Sequence, residues 1–138
     1  PLDVHFAIGN FIGDALLRDD IIVSGDGSPV RSYMDQAEMA RWLLAMLGRG
    51  TPGRAYNVGS SEAVTLGELA HRVGKLLAPG KRVRILARTG ADNAMRNRYL
   101  PDISRAEAEL QLINEIGLDD AISRAGAAIR GRVACSHQ

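Results

Sequence analysis

Two arginines and one asparagine have positions suited to holding an anionic ligand. Arg31 follows the glycine-rich turn of "SGDGSPVRSY" (24–33), and Arg88 opens the polar stretch "RTGADNAMRNR" directly after an apolar segment. Asn57 interrupts the otherwise apolar "AYNVG" (55–59). A guanidinium donates two parallel hydrogen bonds to a phosphate, and a buried amide needs partners. The chemistry these residues favour is phosphate binding; the alternatives are surface arginines and an Asn57 that bonds to the backbone.

The motifs of catalytic and metal sites are absent from the sequence. None of Tyr33, Tyr56 and Tyr99 has a lysine four residues later, so no Tyr-x-x-x-Lys pair could hold a tyrosine as a base. "GSS" (59–61) is not a nucleophile elbow. The three histidines are scattered and there is one cysteine, so metal-ligand spacing is missing. We therefore predict no catalytic residue and no metal site in this chain.

The segment "GRGTPG" (48–53) matches the glycine pattern of dinucleotide-binding turns. That turn needs a strand before it and a helix after it, so that the helix N-terminus faces the pyrophosphate. Here the periodicity predicts the reverse order, a helix before and a strand after. The segment is therefore predicted to be a helix C-cap and loop, and no cofactor is expected to bind to this chain alone.

Composition narrows the functional class. The chain has 138 residues, of which 46% are hydrophobic, enough for one domain with a core. A net charge of +1 gives no long-range electrostatic field that would attract nucleic acid or an anionic membrane. No apolar run has membrane-spanning length. A single cysteine, Cys135, fits a reducing cytoplasm. Because the sequence starts at Pro1 rather than Met, we expect an upstream part to be missing.

Periodicity predicts a mixed α/β domain in which helices alternate with short strands. Asp35 is expected to cap the second helix, whose predicted buried stripe is Ala37, Ala40, Leu44 and Leu47. "TLGE" (65–68) and "SRAE" (104–107) are each expected to form a capping box. We predict one domain over residues 1–131 and a frayed tail over 132–138. The predicted helices cover 4–17, 36–47, 65–77, a short stretch from 104, and 118–130, and the predicted strands cover 21–23, 30–34, 54–60 and 82–87.

The order of these segments resembles the C-terminal part of the extended short-chain dehydrogenases/reductases, above all the NAD-dependent nucleotide-sugar epimerases and 4,6-dehydratases. The resemblance covers about residues 4–130. It rests on the succession of "FIGDAL", "VSGDGSPVRSYM", "DQAEMARWLL", "GRAYNVGSSEAVTLGELA", "RVRILARTGAD" and "YLPDISRAEAEL". In that family a Rossmann domain binds NAD or NADP and carries the catalytic Tyr-x-x-x-Lys. A smaller domain binds the nucleoside diphosphate, and this chain matches only that second part.

The resemblance implies roles for individual residues. Arg31 occupies the place of a family arginine that contacts the substrate diphosphate. Arg88 in "RTGAD" matches the family's second diphosphate arginine, although Ala91 is inserted before Asp92. Residues at the end of the strand before the turn pack on the nucleotide base, which implicates Val23 and Ser24.

Three positions are less determined by the resemblance. Several family members have an aromatic where this chain has Ser24, so the base stays open. Asn57 lies in the family's "YN-apolar-G" strand, where the asparagine is structural or reaches the ligand. Asn10, in "HFAIGNFI", is carried over as a further ligand-binding residue.

The function implied is that of a substrate-binding domain. It holds a nucleotide sugar while the Rossmann domain, absent from this chain, transfers a hydride at sugar C4. The intact protein is expected to be a homodimeric enzyme. The alternative is a non-catalytic interaction domain, or a divergent relative that no longer binds nucleotide sugars; the missing aromatic at Ser24 favours this slightly.

Overall fold

The computed structural model describes residues 6–87 and 97–135, and these form five helices and four short strands. This confirms the predicted α/β class in which helices alternate with short strands. No helix in these ranges is both long and apolar enough to cross a membrane. In chain order the elements are α1 (Ala7–Leu17), β1 (Ile21–Val23), β2 (Val30–Arg31), α2 (Gln36–Arg49), β3 (Val64–Thr65), α3 (Leu66–Leu77), β4 (Val83–Ile85), α4 (Ser104–Leu110) and α5 (Leu118–Cys135).

The strands form two small sheets. β1 and β4 run parallel, with Ile21 opposite Val83 and Val23 opposite Ile85. β2 and β3 run antiparallel, and Val30 also forms a parallel bridge with Arg98. Because parallel strands need a long crossover, the whole stretch from β2 to α3 lies between β1 and β4 in the chain.

The main hydrophobic core lies between α1, α3, α5 and the β1–β4 sheet. Its side chains are almost all aliphatic, as the scarcity of aromatics requires. Asp14 fastens α1 to β1, because its carboxylate accepts a hydrogen bond from Ile22 N at 3.0 Å. The fully enclosed members include Ile21, Leu69, Ala70, Val73 and Ile122.

A second, smaller core joins α2 to α4. Trp42 is completely buried there, against Ile103, Ala106, Leu110 and Leu112. Its indole N–H has no hydrogen-bond partner among the described residues. Asp35 caps α2 as predicted, since its Oδ1 accepts from Ala37 N at 2.8 Å.

The predicted buried stripe of α2 is wrong. Ala37, Ala40, Leu44 and Leu47 are exposed, Leu44 by 69% and Leu47 by 85%. The inward face instead carries Glu38, Trp42, Ala45 and Met46. The helix is apolar on two sides, so periodicity alone could not decide which side faces the core; the packing of Trp42 on α4 decides it.

Four other element predictions need correction. Residues 54–60 form no strand, because they find no partner strand among the described residues, and only Val30–Arg31 of the predicted strand 30–34 is paired. The predicted capping box at 104–107 is absent: the helix begins at Ser104, and Asp102 Oδ1 accepts from Ser104 N at 3.0 Å. The last helix continues to Cys135, past the predicted end at 130 and into the predicted tail.

Candidate functional site

The turn between β1 and β2 rests directly on the start of α3. Asp26 orders it by accepting hydrogen bonds from Ser28 N and Ser28 Oγ, at 3.0 and 2.8 Å. These bonds favour the charged carboxylate and lower the pKa of Asp26 from its usual value. Gly27 O accepts from Gly67 N at 3.0 Å, and Gly27 itself has a φ of 77°, which favours glycine. Pro29 O accepts from Leu66 N, so the turn satisfies two amides of the helix start.

The same turn also holds both ends of the segment that contains Arg88. Leu86 N donates to Val23 O at 3.0 Å and Ala87 N donates to Gly25 O at 3.4 Å, at the carboxyl ends of β1 and β4. The chain returns at Asn97, whose carbonyl oxygen accepts from Val30 N at 2.9 Å. In open parallel sheets, ligands bind beyond the carboxyl ends of the strands. Arg88 lies outside the described residues, directly after Ala87.

Arg31 lies half-buried at the return point of that segment. Its Nη1 donates to Val30 O at 2.8 Å and to Asn97 O at 2.5 Å. Its Nε and Nη2 make no hydrogen bond to any residue in the described ranges. One edge of the guanidinium is therefore used by the backbone, and the other edge has donors suited to an anion. Nearby, burial raises the pKa of Tyr33, and the charge of Arg31 opposes that rise.

The other predicted site residues have differing environments. The side chain of Val23 is 2% exposed and belongs to the main core, so its backbone is the part that faces the site. Ser24 is exposed at the end of β1. Asn57 is exposed, and its Nδ2 donates to Asp102 O at 2.8 Å, in the loop before α4. Asn10 is exposed on α1. Val23, Ser24 and Arg31 thus flank one turn, whereas Asn57 and Asn10 lie on other parts of the fold.

Sequence reasoning missed a groove of about 520 Å³ between α1, the start of α2 and α5. Its walls are largely apolar, from Ile8, Ile12 and Ile129, with the ring of Tyr33 beside them. The Asp35–Arg124 ion pair, 3.6 Å between Oδ2 and Nε, lies at its edge. The three elements are far apart in the chain, so no local pattern could have predicted the groove.

The described residues contain no metal-binding cluster, and residues 48–53 lack the setting of a dinucleotide-binding turn. Within 6–87 and 97–135, no group of three or more His, Cys, Asp or Glu side chains could hold a metal ion. Residues 48–53 comprise the last two residues of α2, its C-cap Gly50, whose N–H donates to Met46 O, and a loop. They lead into segment 54–58, which pairs with no described strand. They therefore end a helix as predicted and do not present a helix N-terminus to a pyrophosphate.

Comparison with known proteins finds a family match over part of the chain. Residues 3–59 match the family model described as "NAD dependent epimerase/dehydratase family". UDP-glucuronic acid decarboxylase 1 of Arabidopsis thaliana is 26% identical over 132 residues, which are 96% of this chain and 29% of that protein. The chain thus spans less than a third of this curated relative's length.

Solved structures share the fold. An epimerase from Methanothermobacter thermautotrophicus has a TM-score of 0.80 at 23% identity, over 95% of this chain and 39% of its own. The Bordetella bronchiseptica enzyme WbmF, solved with NAD+ and UDP, has a TM-score of 0.79 at 19% identity, over 94% of this chain and 37% of its own. Residues 3–59 thus match this family, and the described residues share their fold with solved structures that include an epimerase.

Proposed function

We propose that this chain holds the nucleoside diphosphate of a nucleotide sugar. The observation that carries the proposal is that Arg31, in β2 directly after the turn that leaves the carboxyl end of β1, has Nε and Nη2 unbonded to the described residues. Two arginines on one diphosphate would supply charge-assisted, bidentate contacts, and Arg88 directly follows Ala87 at this turn. Ser24 and the backbone of Val23 would face the base.

A UDP-sugar is the ligand class we favour. The Arabidopsis relative is named for UDP-glucuronic acid, and WbmF was solved with UDP. The relatives include a decarboxylase, which widens the reaction classes beyond epimerisation and dehydration. In all three reaction classes (epimerisation, dehydration and decarboxylation), the role proposed for this chain is to bind and orient the substrate.

The catalytic residues and the cofactor, NAD or NADP, are assigned to a Rossmann domain outside this chain. Hydride transfer at sugar C4 is the chemistry that NAD or NADP would supply there. Residues 48–53 do not fit the cofactor, and so no step of that chemistry is assigned to the described residues. The intact protein is proposed to be a homodimeric enzyme, as the resemblance implies.

The exposed face of α2 is where we propose that the missing domain docks. Met39, Leu43, Leu44 and Leu47 form an apolar surface of the kind that marks an interface. The segment 54–58 lies after α2 in the chain. Its residues 55–58 make no backbone–backbone hydrogen bond to any described residue. Its side chains alternate in burial, as in a strand whose sheet is missing. The apolar face of α2 and the unpaired backbone of segment 54–58 together suit docking at the edge of a sheet that α2 would cover.

Nucleotide-sugar binding is tested with the full-length protein and its Arg31→Ala variant. We expect calorimetry to detect binding of UDP-glucuronic acid and UDP to the unaltered protein. Losing a charged donor costs about 1.5–3 kcal/mol, so Arg31→Ala should weaken binding roughly 10- to 150-fold. The matched control is Arg49→Ala, which removes an exposed arginine from the last turn of α2. Equal affinity in Arg31→Ala and Arg49→Ala would refute the site.

A second candidate is an interaction domain that binds no nucleotide sugar. Its support is the exposed Ser24, which offers no aromatic ring to a base, and the large apolar face of α2. This candidate predicts no calorimetric signal with either UDP compound at saturating concentration, with the α2 face still required for assembly.

A further inference from the structure

The backbone around β2 forms a small three-way junction. Val30 N donates to Asn97 O at 2.9 Å, and Tyr99 N donates to Val30 O at 3.0 Å. Val30 also pairs with β3 on its other side, opposite Thr65. Residues 97–99 therefore act as a third strand beside β2, and within the part of the chain that the structure describes two backbone hydrogen bonds hold them there. So short a pairing is weak without further support.

Arg31 supplies that support from the side chain. Its Nη1 donates at 2.5 Å to Asn97 O, the same oxygen that accepts from Val30 N. The same Nη1 donates to Val30 O, which also accepts from Tyr99 N. The carbonyl oxygens of Val30 and Asn97 thus each accept a second hydrogen bond, and in both cases the second donor is the charged guanidinium of Arg31. Hydrogen bonds from an ionised donor are about twice as strong as neutral ones.

We propose that Arg31 is a positioning residue that fastens residues 97–99 to β2, and that one guanidinium serves both this junction and the ligand. This deepens the proposed function, on which its second half rests. Nη1 is fixed by the backbone, so the planar group presents Nε and Nη2 in a set orientation. An anion then meets donors whose rotamer freedom is already restricted, which lowers the entropy cost of binding.

Amide hydrogen exchange on the 138-residue chain without ligand tests the junction. The reporters are the amides of Tyr99 and Val30, and the reference amides are those of Leu69 and Val73 in the core of α3. In Arg31→Ala we expect exchange at the reporters to accelerate about tenfold or more relative to α3, from the loss of hydrogen bonds to a charged donor. The control Arg49→Ala should leave that ratio unchanged.

Two results would overturn the proposal. One is reporter exchange in Arg31→Ala that matches Arg49→Ala. The other is acceleration of equal size at the α3 amides, which would indicate general destabilisation. Because the exchange experiment contains no ligand, a negative result would not bear on nucleotide-sugar binding, which the calorimetry tests separately.

Chemical rescue separates a specific contact from general loosening. Guanidinium chloride, far below denaturing concentrations, should restore part of the Tyr99 protection in Arg31→Ala and leave the unaltered chain unchanged. If Arg31→Ala loses protection and guanidinium restores none of it, the hydrogen bonds of Nη1 are not what holds residues 97–99, and the proposal is wrong.

Discussion

At the scale of single residues, the two glycines of the turn differ in whether the backbone requires a glycine. Gly27 has a φ of 77°, and a Cβ there would lie 3.2 Å from the Cα of Gly67. Both its backbone conformation and its close approach to α3 therefore exclude a larger residue. Gly25 has no atom within 4 Å of such a Cβ and no positive φ. The sequence "GDG" presents them as equivalent, whereas only Gly27 is sterically required.

We expect Gly27→Ala to destabilise the chain by about 1–3 kcal/mol, through backbone strain and the displacement of Gly67. Gly25→Ala is the matched control, and we expect its free energy of unfolding to change by about 0.5 kcal/mol or less. Urea denaturation followed by circular dichroism measures both. Equal stability of the two variants would mean that the turn does not rest on α3 as described.

Asn57 shows why a site residue is difficult to assign from sequence. An amide within an apolar strand pattern indicates a buried group with demanding partners, whether ligand or protein. In the structure the residue is exposed, and its amide group already donates to Asp102 O. The backbone-bonded alternative therefore accounts for Asn57 without a ligand, and Arg31 remains the stronger candidate.

At the scale of elements, helix starts depend on more than the local motif. Thr65 and Glu68 form the complete capping box that "TLGE" predicts, with Glu68 N bonded to Thr65 Oγ1 at 3.1 Å and Thr65 N bonded to Glu68 Oε2 at 2.9 Å. "SRAE" has the same spacing, yet Asp102, two residues before Ser104, accepts the amide of Ser104 instead. The carboxylate of Asp102, just upstream, thus competes for the amide that would start the capping box. The hydrogen bonds that Asp102 accepts from Ser104 lower the pKa of Asp102.

The capping box gives the chain a pH-dependent contribution to stability. Hydrogen bonds from the backbone and side chain of Thr65 lower the pKa of Glu68 below its usual 4.5. A carboxyl whose pKa is lower in the folded state stabilises the fold above its unfolded pKa, and this contribution is lost as pH falls through the folded pKa. We therefore expect Glu68→Gln to be less stable than the unaltered chain near neutral pH.

The difference should shrink as the pH falls below 4.5 and vanish once Glu68 is protonated in both states. Urea denaturation of both proteins across this range measures it. Glu68 is exposed, so salt and solvent will reduce the effect. A stability difference that stays constant, or widens in acid, would contradict the assignment of Glu68 as a charged cap.

Local patterns predicted the elements better than their partners. The strands 21–23 and 82–87 and the helices after Asp35 and Thr65 were predictable, because caps, prolines and periodicity act within a few residues. The pairing of Val30 with residues 97–99 was not, because nothing local links positions so far apart in the chain. For the candidate site, the sequence predicts the turn and nominates Arg31 as a ligand-binding residue, and that role stays a prediction. The hydrogen bond from Arg31 to Asn97 O was not predictable from any local pattern.

At the scale of the whole molecule, the proposed docking of a further domain would place α2 between two layers, one of which the described residues provide. A helix that is apolar on two faces is typical of a buried position between layers. One face packs on α4 through Trp42, and the other leaves Leu44 and Leu47 exposed. The sequence pattern picked out the apolar residues of that outer stripe, but its prediction that they are buried is wrong for the described residues.

Without a covering domain, this face should make the 138-residue chain self-associate. The exposed parts of Met39, Leu43, Leu44 and Leu47 amount to an apolar patch on the order of 400–500 Å², the size of the largest and often functional patch on a typical monomer. A stable dimer buries about 800 Å² on each partner, so the association should be weak and concentration-dependent. With a net charge of +1, repulsion between copies is small. Sedimentation velocity over a concentration series should show the average sedimentation coefficient rising.

Leu44→Asp with Leu47→Asp should abolish that rise, because two charges on the patch would have to be buried without partners. Leu17→Asp is the matched control, since Leu17 is 63% exposed at the end of α1 and lies on another element. In the full-length protein we expect the double variant to lower the melting temperature, where the covering domain loses its contact, and Leu17→Asp to leave it nearly unchanged. Equal behaviour of the double variant and Leu17→Asp in both measurements would show that the outer face of α2 is ordinary surface.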